Sequence, residues 1–307
     1  MAVSKGKILI TGVAGFIGSN LADRLLAAGY KVLGLDNLAY GPAHQVPKEV
    51  EFHRVDVSSQ SIYPLFEGVD AVFHLAAKNQ LLDCQKDPVE TMQINVVGTT
   101  NVFEAAKRAG VRKVVYAQSS AVEEGDDRLK GFYAISKLTD AMIADGYHAA
   151  FGVTMVGVRY FNVYGPRQDY RRLIPPVMSA FIIKLLKGER PTIYEGAENN
   201  KRDFVYVDDI NDFHLQCITD DRVDNRMFRL GSGKSYSVVD ILNTIKNILQ
   251  SDIEPIIKPQ LSGDVPTQTL ADISDAVALG WKPKTNLEEG LRAMAEFIKG
   301  EMEKGRI

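Results

Sequence analysis

Apolar positions in the first half of the chain change period repeatedly, and each change marks a new element. Lys7-Ile8-Leu9-Ile10-Thr11 is a short β-branched run bounded by glycine. From Phe16 to Ala28 the apolar residues Ile17, Leu21, Leu25 and Leu26 fall at helical spacing, and Gly29 stands as a C-terminal stop. Strand-like runs recur at Lys31–Leu35, Val50–Val55, Asp70–Leu75, Lys113–Ala117 and Thr154–Arg159. Helical patterns fill the gaps, notably over Pro88–Ala109 and Phe132–Ala150. Strands alternating with helices predict a parallel sheet covered on both faces, the doubly wound α/β (Rossmann) class. After Asn162 the pattern loosens: prolines from Pro166 to Pro283 punctuate shorter elements, with helices predicted at Ile174–Lys187, Val238–Leu249 and Leu287–Lys304. The pattern predicts a Rossmann domain over 1–165 and a smaller α/β lobe over 166–307. A strand at Phe204–Val207 and a helix at Asp208–Ile218 (204–220) are expected to rejoin the first domain.

Composition narrows the function classes. A chain of 307 residues with 45% hydrophobic and 24% charged residues is globular and long enough for two lobes. The net charge is −3 and no basic stretch is dense enough to hold a phosphate backbone, so no nucleic-acid partner is expected. Two cysteines, Cys84 and Cys217, make no disulfide framework, and no His/Cys cluster has metal spacing. No apolar run reaches the ~18–20 residues that span a bilayer, and the first residues do not read as a signal peptide. A cytoplasmic protein with no membrane partner and no metal is the expectation.

Two groups of residues carry candidate chemistry. Thr11-Gly12-Val13-Ala14-Gly15-Phe16-Ile17-Gly18 lies where a strand hands over to a helix. Glycines there let the backbone turn tightly and seat a pyrophosphate on the helix N-terminus, whose N–H groups and dipole favour anions; a merely tight strand–helix turn is the plainer alternative. Asp36 ends the second strand 18 residues past Gly18. A carboxylate there can take both ribose hydroxyls of NAD and repels the 2′-phosphate of NADP. Asn37 and Leu38 follow, and no cation beside them would welcome that phosphate. Asp56-Val57, after the third strand, either meets the adenine edge or simply ends a strand.

Tyr133-Ala-Ile-Ser136-Lys137 opens a predicted helix, so phenol and ammonium share one face. A free tyrosine is only about 0.1% phenolate at neutral pH, and a cation ~5 Å away favours the phenolate by roughly 3 kcal/mol. Lys137 is thus placed to make Tyr133 a general base, although a helix start can carry this pattern by chance.

Thr-Gly-x-x-Gly-x-x-Gly, Asp36, His74-Leu75-Ala76-Ala77, Ser119-Ser120, Tyr133-x-x-Ser-Lys137, Arg159-Tyr-Phe-Asn-Val-Tyr-Gly-Pro-Arg167 and Arg202-Asp-Phe-Val-Tyr-Val-Asp-Asp209 occur in this order. As a set they resemble the extended short-chain dehydrogenase/reductase family. Within it, the chain looks nearest to the UDP-sugar 4-epimerases of the NAD-dependent epimerase/dehydratase group. The resemblance implies NAD as cofactor and a nucleotide sugar as substrate. It also implies C4 epimerisation by a loan of hydride, and a homodimer formed through the Pro88–Ala109 and Phe132–Ala150 helices. By position it puts Tyr133, Lys137, Ser119 and Ser120 at the chemistry, with Ser119 matching the catalytic serine or threonine. Gly12, Gly15, Phe16, Ile17, Gly18, Asp36, Asn37, Asp56, Val57, Leu75, Ala76, Ala77 and Tyr160 would line the cofactor, joined by Tyr133 and Lys137. Phe161 and Asn162 would frame the nicotinamide and the nucleotide diphosphate, with Arg202 and Asp264 at the uridine–diphosphate side.

Related 4,6-dehydratases carry Thr-Asp-Glu where this chain has Ser119-Ser120-Ala121, and related decarboxylases keep a glutamate at the third position. Without those acids, oxidation and reduction at C4 remain. Other nucleotide-sugar chemistry of the family, or a non-catalytic NAD sensor, are the alternatives. The chain also departs from the pattern. Only 14 residues separate Ser119 from Tyr133, with a charged Glu123–Arg128 stretch that reads as a solvated, shortened loop. Leu261 replaces a usual arginine, and Arg171-Arg172 arrive early, either to bind diphosphate or to stay exposed. Gly231-Ser-Gly-Lys-Ser235 lacks the earlier glycine of a P-loop, and His74 reads as packed rather than catalytic.

Overall fold

The structure, a computed structural model, describes residues 5–123, 131–260 and 268–307. The chain forms two compact units: Met1–Tyr160 with Asn211–Arg229, and Phe161–Ile210 with Leu230–Ile307.

The first unit is built on a seven-stranded sheet. Its order is Met227–Leu230, Met155–Tyr160, Lys113–Ser119, Ala71–His74, Lys7–Thr11, Lys31–Asp36, Glu51–Arg54. The central strands are buried along nearly their whole length, as β-branched runs between two helix layers must be. Lys7–Thr11 pairs in parallel with Lys31–Asp36 on one side and Ala71–His74 on the other, with Thr11 opposite both Leu35 and His74. Strand order reverses between these two neighbours, and it is at the carboxyl ends of such a pair that open α/β sheets take their ligands. One core packs Leu9, Leu33, Val72, Phe103, Val114 and Met155 with their neighbours.

Three differences from the sequence pattern have physical reasons. The seventh strand is Met227–Leu230, whereas Val205–Tyr206 pairs with Val163–Tyr164 in a separate two-stranded sheet. The Met227-Phe-Arg-Leu run hides in the sequence because Arg229 alternates outward to pair with Glu123. The helix expected from Ile174 starts at Val177; Pro175 and Pro176 push the residues before them out of the helical region. The Pro88–Ala109 run is helical throughout but widens to a π-turn at Gln93–Val97.

The second unit gathers the helices Val177–Leu186, Val238–Leu249 and Leu287–Glu303 around Tyr164, Ile182, Ile245 and Leu291. Two of them begin with reciprocal capping boxes, Ser237 with Asp240 and Asn286 with Glu289. Among the described residues, no helix is long and apolar enough to cross a membrane, and no group of three His, Cys, Asp or Glu could hold a metal.

Candidate active site

Gly12 leaves the first strand at φ +75°, and a Cβ there would lie 2.8 Å from the Ala76 nitrogen. At Gly18 a Cβ would lie 2.2 Å from the Gly12 carbonyl oxygen. Only glycine lets these three backbone segments close up. The Phe16–Ala27 helix begins at Gly15 with no side-chain cap, so its first N–H groups, which have no partner within the helix, are left for a ligand. Gly41 closes the turn from the far side, since a Cβ on it would lie 2.3 Å from the Ala14 carbonyl oxygen.

Thr11 is the hinge of this turn. Its hydroxyl accepts the N–H groups of Leu75 and Ala76, each at 3.2 Å, and lies 2.7 Å from His74 Nδ1. With its lone pairs so used, Thr11 donates to His74 Nδ1. The imidazole proton is then on Nε2, which donates to Thr99 Oγ1 at 2.8 Å. Burial, helped by the Lys137 charge, holds the His74 pKa down at about 3, so the ring is neutral. Leu75 and Ala76 are thereby fixed beside Gly12, with Ala77 next in the chain.

Asp36 Oδ2 accepts the Ala14 N–H at 3.0 Å and Oδ1 that of Leu38 at 2.7 Å. Burial raises its pKa against these two bonds, and among the described residues no cation figures in its titration. Asn37 Nδ2 donates to Asp56 Oδ2 at 2.7 Å, and the other Asp56 oxygen takes the Ser58 N–H and hydroxyl. Burial alone would raise the Asp56 carboxyl, but those bonds hold it below its usual range. Val57 is buried beside it. An uncapped helix start, glycines where side chains would collide and a partner-rich carboxylate at the next strand end fit a dinucleotide without a 2′-phosphate.

The catalytic candidates stand at the neighbouring strand ends. The Phe132–Phe151 helix carries Tyr133, half-buried, and Lys137, 3% exposed. Lys137 Nζ donates to the Ala117 carbonyl at 3.3 Å and to Asp140 Oδ2 at 3.0 Å. Burial would lower the Lys137 pKa, yet the nearby Asp140 and Tyr133 outweigh it and raise it. Phenol and ammonium are therefore close enough to sense each other. Ser119 Oγ accepts the Ala121 N–H at 3.2 Å, and Ser120 is buried in the same short turn.

Some functional geometry was invisible in the sequence. Asn95, fully buried at the π-turn, accepts the Lys78 N–H at 2.8 Å. It donates to the Lys78 carbonyl at 3.0 Å and to Ser136 Oγ at 2.9 Å. Ser136 in turn donates to the Tyr133 carbonyl at 2.8 Å. One amide thus ties the loop after His74 to the start of the tyrosine helix. An asparagine within an apolar helical stripe was its only signal.

The remaining expected residues stand in both units. Tyr160 is committed to the core of the first unit, its hydroxyl 2.8 Å from His214 Nε2 and its ring edge-on to that imidazole; its side chain is not left open to a cofactor. Glu123 is exposed, as the solvated reading expects, and its carboxylate is the shared partner of Arg159 and Arg229; the rest of that stretch from Glu124 lies outside the described residues. In the second unit, Asn162 stands at φ +39° and donates to the Asp203 carbonyl at 2.8 Å. Phe161 is buried, and Arg202 lies half-buried on the Lys201–Asp203 strand. Arg171 and Arg172 line a basic depression of about 490 Å³ with Lys184 and Lys187. Asp264 and Leu261 lie outside the described residues.

The profile of the NAD dependent epimerase/dehydratase family matches residues 8–231. A putative UDP-glucose 4-epimerase of Methanocaldococcus jannaschii is 32% identical over 305 residues, covering 95% of this chain and 98% of that protein. The UDP-N-acetylglucosamine 4-epimerase of Methanobrevibacter ruminantium M1, solved with UDP-N-acetylmuramic acid, superposes with a TM-score of 0.90. It is 29% identical, and the match covers 98% of this chain and all of that one (100%). The UDP-glucose 4-epimerase of Thermus thermophilus, solved with NAD, gives a TM-score of 0.84 at 31% identity, over 96% and 99% of the two chains. With its uncapped glycine turn, its Asp36 carboxylate and its Tyr133–Lys137 pair on a Rossmann sheet, the chain belongs to the NAD dependent epimerase/dehydratase family, and its cofactor is NAD.

Proposed function

We propose that this chain interconverts the C4 epimers of a UDP-sugar through a transient 4-keto sugar, with Tyr133 as the base. The observation that carries the reading is an ammonium held inside the protein one helical turn from a half-buried phenol. Tyr133 takes the proton of the sugar 4-hydroxyl and later returns it. Lys137 keeps a positive charge beside the phenol throughout. Ser119, whose Oγ is already held by the Ala121 N–H, retains its own O–H to bond the 4-hydroxyl; Ser120 stands next to it. When bound, NAD supplies the loan of a hydride, taken from C4 and returned to the opposite face of the ring, so no net oxidation accumulates.

Eliminating water or CO₂ would call for an acid where Ala121 stands, which favours epimerisation over the dehydratase and decarboxylase chemistries of the family. A non-catalytic NAD sensor has no use for a buried ammonium beside a phenol. We assign Phe161 and Asn162 to the nicotinamide and the nucleotide diphosphate, and Arg202 and Asp264 to the uridine–diphosphate side. The relatives named above support UDP as the carrier, and Cys84 and Cys217, both free and buried, fit the reducing cytoplasm.

The test is to purify the protein, look for retained NAD, and incubate it with UDP-glucose, UDP-N-acetylglucosamine and UDP-glucuronate. The expected result is interconversion of C4 epimers for at least one of them without net NADH. Release of CO₂ or water, or no turnover by NAD-loaded protein, rejects the reading. Tyr133→Phe is expected to lower kcat by about 10²–10⁴-fold while retaining the cofactor; a near-normal rate would remove Tyr133 from the mechanism.

A further inference from the structure

We propose that Asp140 is the positioning residue of the Tyr133–Lys137 pair, its carboxylate fixing the Lys137 ammonium in place as a permanent cation. The inference rests on the C4 chemistry proposed above and adds a residue to it.

Asp140 lies one turn beyond Lys137 on the same helix and is 1% exposed. Its Oδ2 accepts from Lys137 Nζ at 3.0 Å, while Oδ1 has no hydrogen-bond partner of its own among the described residues. A carboxylate buried this deeply persists only if something compensates for its lost hydration, and the cation in contact with it is the catalytic lysine. Burial raises the Asp140 pKa, and the Lys137 ammonium, with a smaller contribution from Thr99, acts against it. Because the Thr99 oxygen accepts from His74, its own O–H is free to point at Asp140. Thr11, His74 and Thr99 form one buried hydrogen-bonded chain, and Lys137 with Asp140 forms a buried pair beside it.

The groups facing Lys137 show why the carboxylate matters. Tyr133 and Asp140 come from its own helix, His74 from the strand end, Cys84 from the Leu81–Lys86 helix and the Ala117 carbonyl from the adjacent strand. His74 is neutral and the carbonyl carries only a dipole, so Asp140 is the counter-ion. A buried ammonium without one sheds its proton.

The experiment compares wild type, Asp140→Asn and Asp140→Glu by kcat, KM and NAD affinity between pH 6 and 10. In Asp140→Asn the alkaline limb of kcat should move down by about one pH unit or more. NAD should also bind more weakly at high pH than at neutral pH, while KM for the sugar changes little. Asp140→Glu, which keeps the charge and is the safer variant if the asparagine form folds poorly, should restore the wild-type limb while lowering kcat through the displaced amine. A folded Asp140→Asn enzyme with the wild-type alkaline limb, or an Asp140→Glu enzyme whose limb moves as far as that of the asparagine, overturns the proposal. If wild type turns over no nucleotide sugar, the epimerase reading fails by itself. The pH dependence of NAD affinity in the same proteins then decides Asp140 alone: a drop at high pH confined to Asp140→Asn supports it, and parallel curves reject it.

Discussion

His74 packs between two threonines, with no room for a charge. Burial keeps its pKa near 3, and His214, bonded to Tyr160 in the same unit, is held down at about 3 by burial alone. Unfolded, each would titrate near ~6.5. Between those values the unfolded chain binds protons that the folded chain refuses, so the stabilisation is complete above pH ~6.5 and drains away as pH falls toward 3. Urea titrations at pH 7, 6 and 5 should show stability falling by up to ~1.4 kcal/mol per pH unit for each histidine. His74→Gln should flatten that slope by about half; an unchanged slope would mean that His74 is protonated in the native state. At this scale the sequence was legible where the reason is local. Gly12, Gly18 and Asp36 do what neighbouring backbone requires of them. Asp140 was not legible, because an acid three residues after a lysine reads as an ordinary surface ion pair until burial is known.

Among the elements, the helical run from Pro88 to Ala109 shows what a period cannot reveal. Its apolar stripe predicts a helix but not the π-turn at Gln93–Val97, which turns Asn95 inward onto Lys78 and Ser136. Asn95→Leu would leave the Lys78 N–H without its partner, while the Lys78 carbonyl keeps only the Cys84 thiol and the Ser136 hydroxyl only its bond to the Tyr133 carbonyl. At ~1–3 kcal/mol for an unsatisfied buried group, a loss of about 2 kcal/mol is expected in equilibrium unfolding. A loss below about 1 kcal/mol would show that water or repacking replaces the amide. Likewise, the Met227–Leu230 strand escaped notice because four residues with an outward arginine carry too little apolar signal, and its membership of the sheet rests on pairing with Met155–Tyr160.

For the molecule as a whole, the first unit leaves apolar side chains uncovered on the helix pair expected to dimerise. Val89 is 81% exposed, Val97 45%, Leu138 40% and Met142 67%. Isolated apolar residues are common on surfaces, but burying several from one helix pair about a two-fold axis would stabilise a dimer. We expect a homodimer in sedimentation velocity at micromolar concentration, and Met142→Glu should shift it toward monomer. A monomeric wild type at that concentration would reject this face as the interface.

The sequence by itself determined the class of sheet, the cofactor turn and the spacing of Tyr133 and Lys137. All of these depend on residues within a turn or a strand of one another, where period, glycine and charge act directly. Only the tertiary structure decided that Lys137 is buried against Asp140, that His74 is a neutral link between Thr11 and Thr99, and that Tyr160 belongs to His214. Each of those depends on which distant segments share an environment from which water is excluded. Burial is a property of the packed chain, and it sets whether a charge is kept, paired or given up.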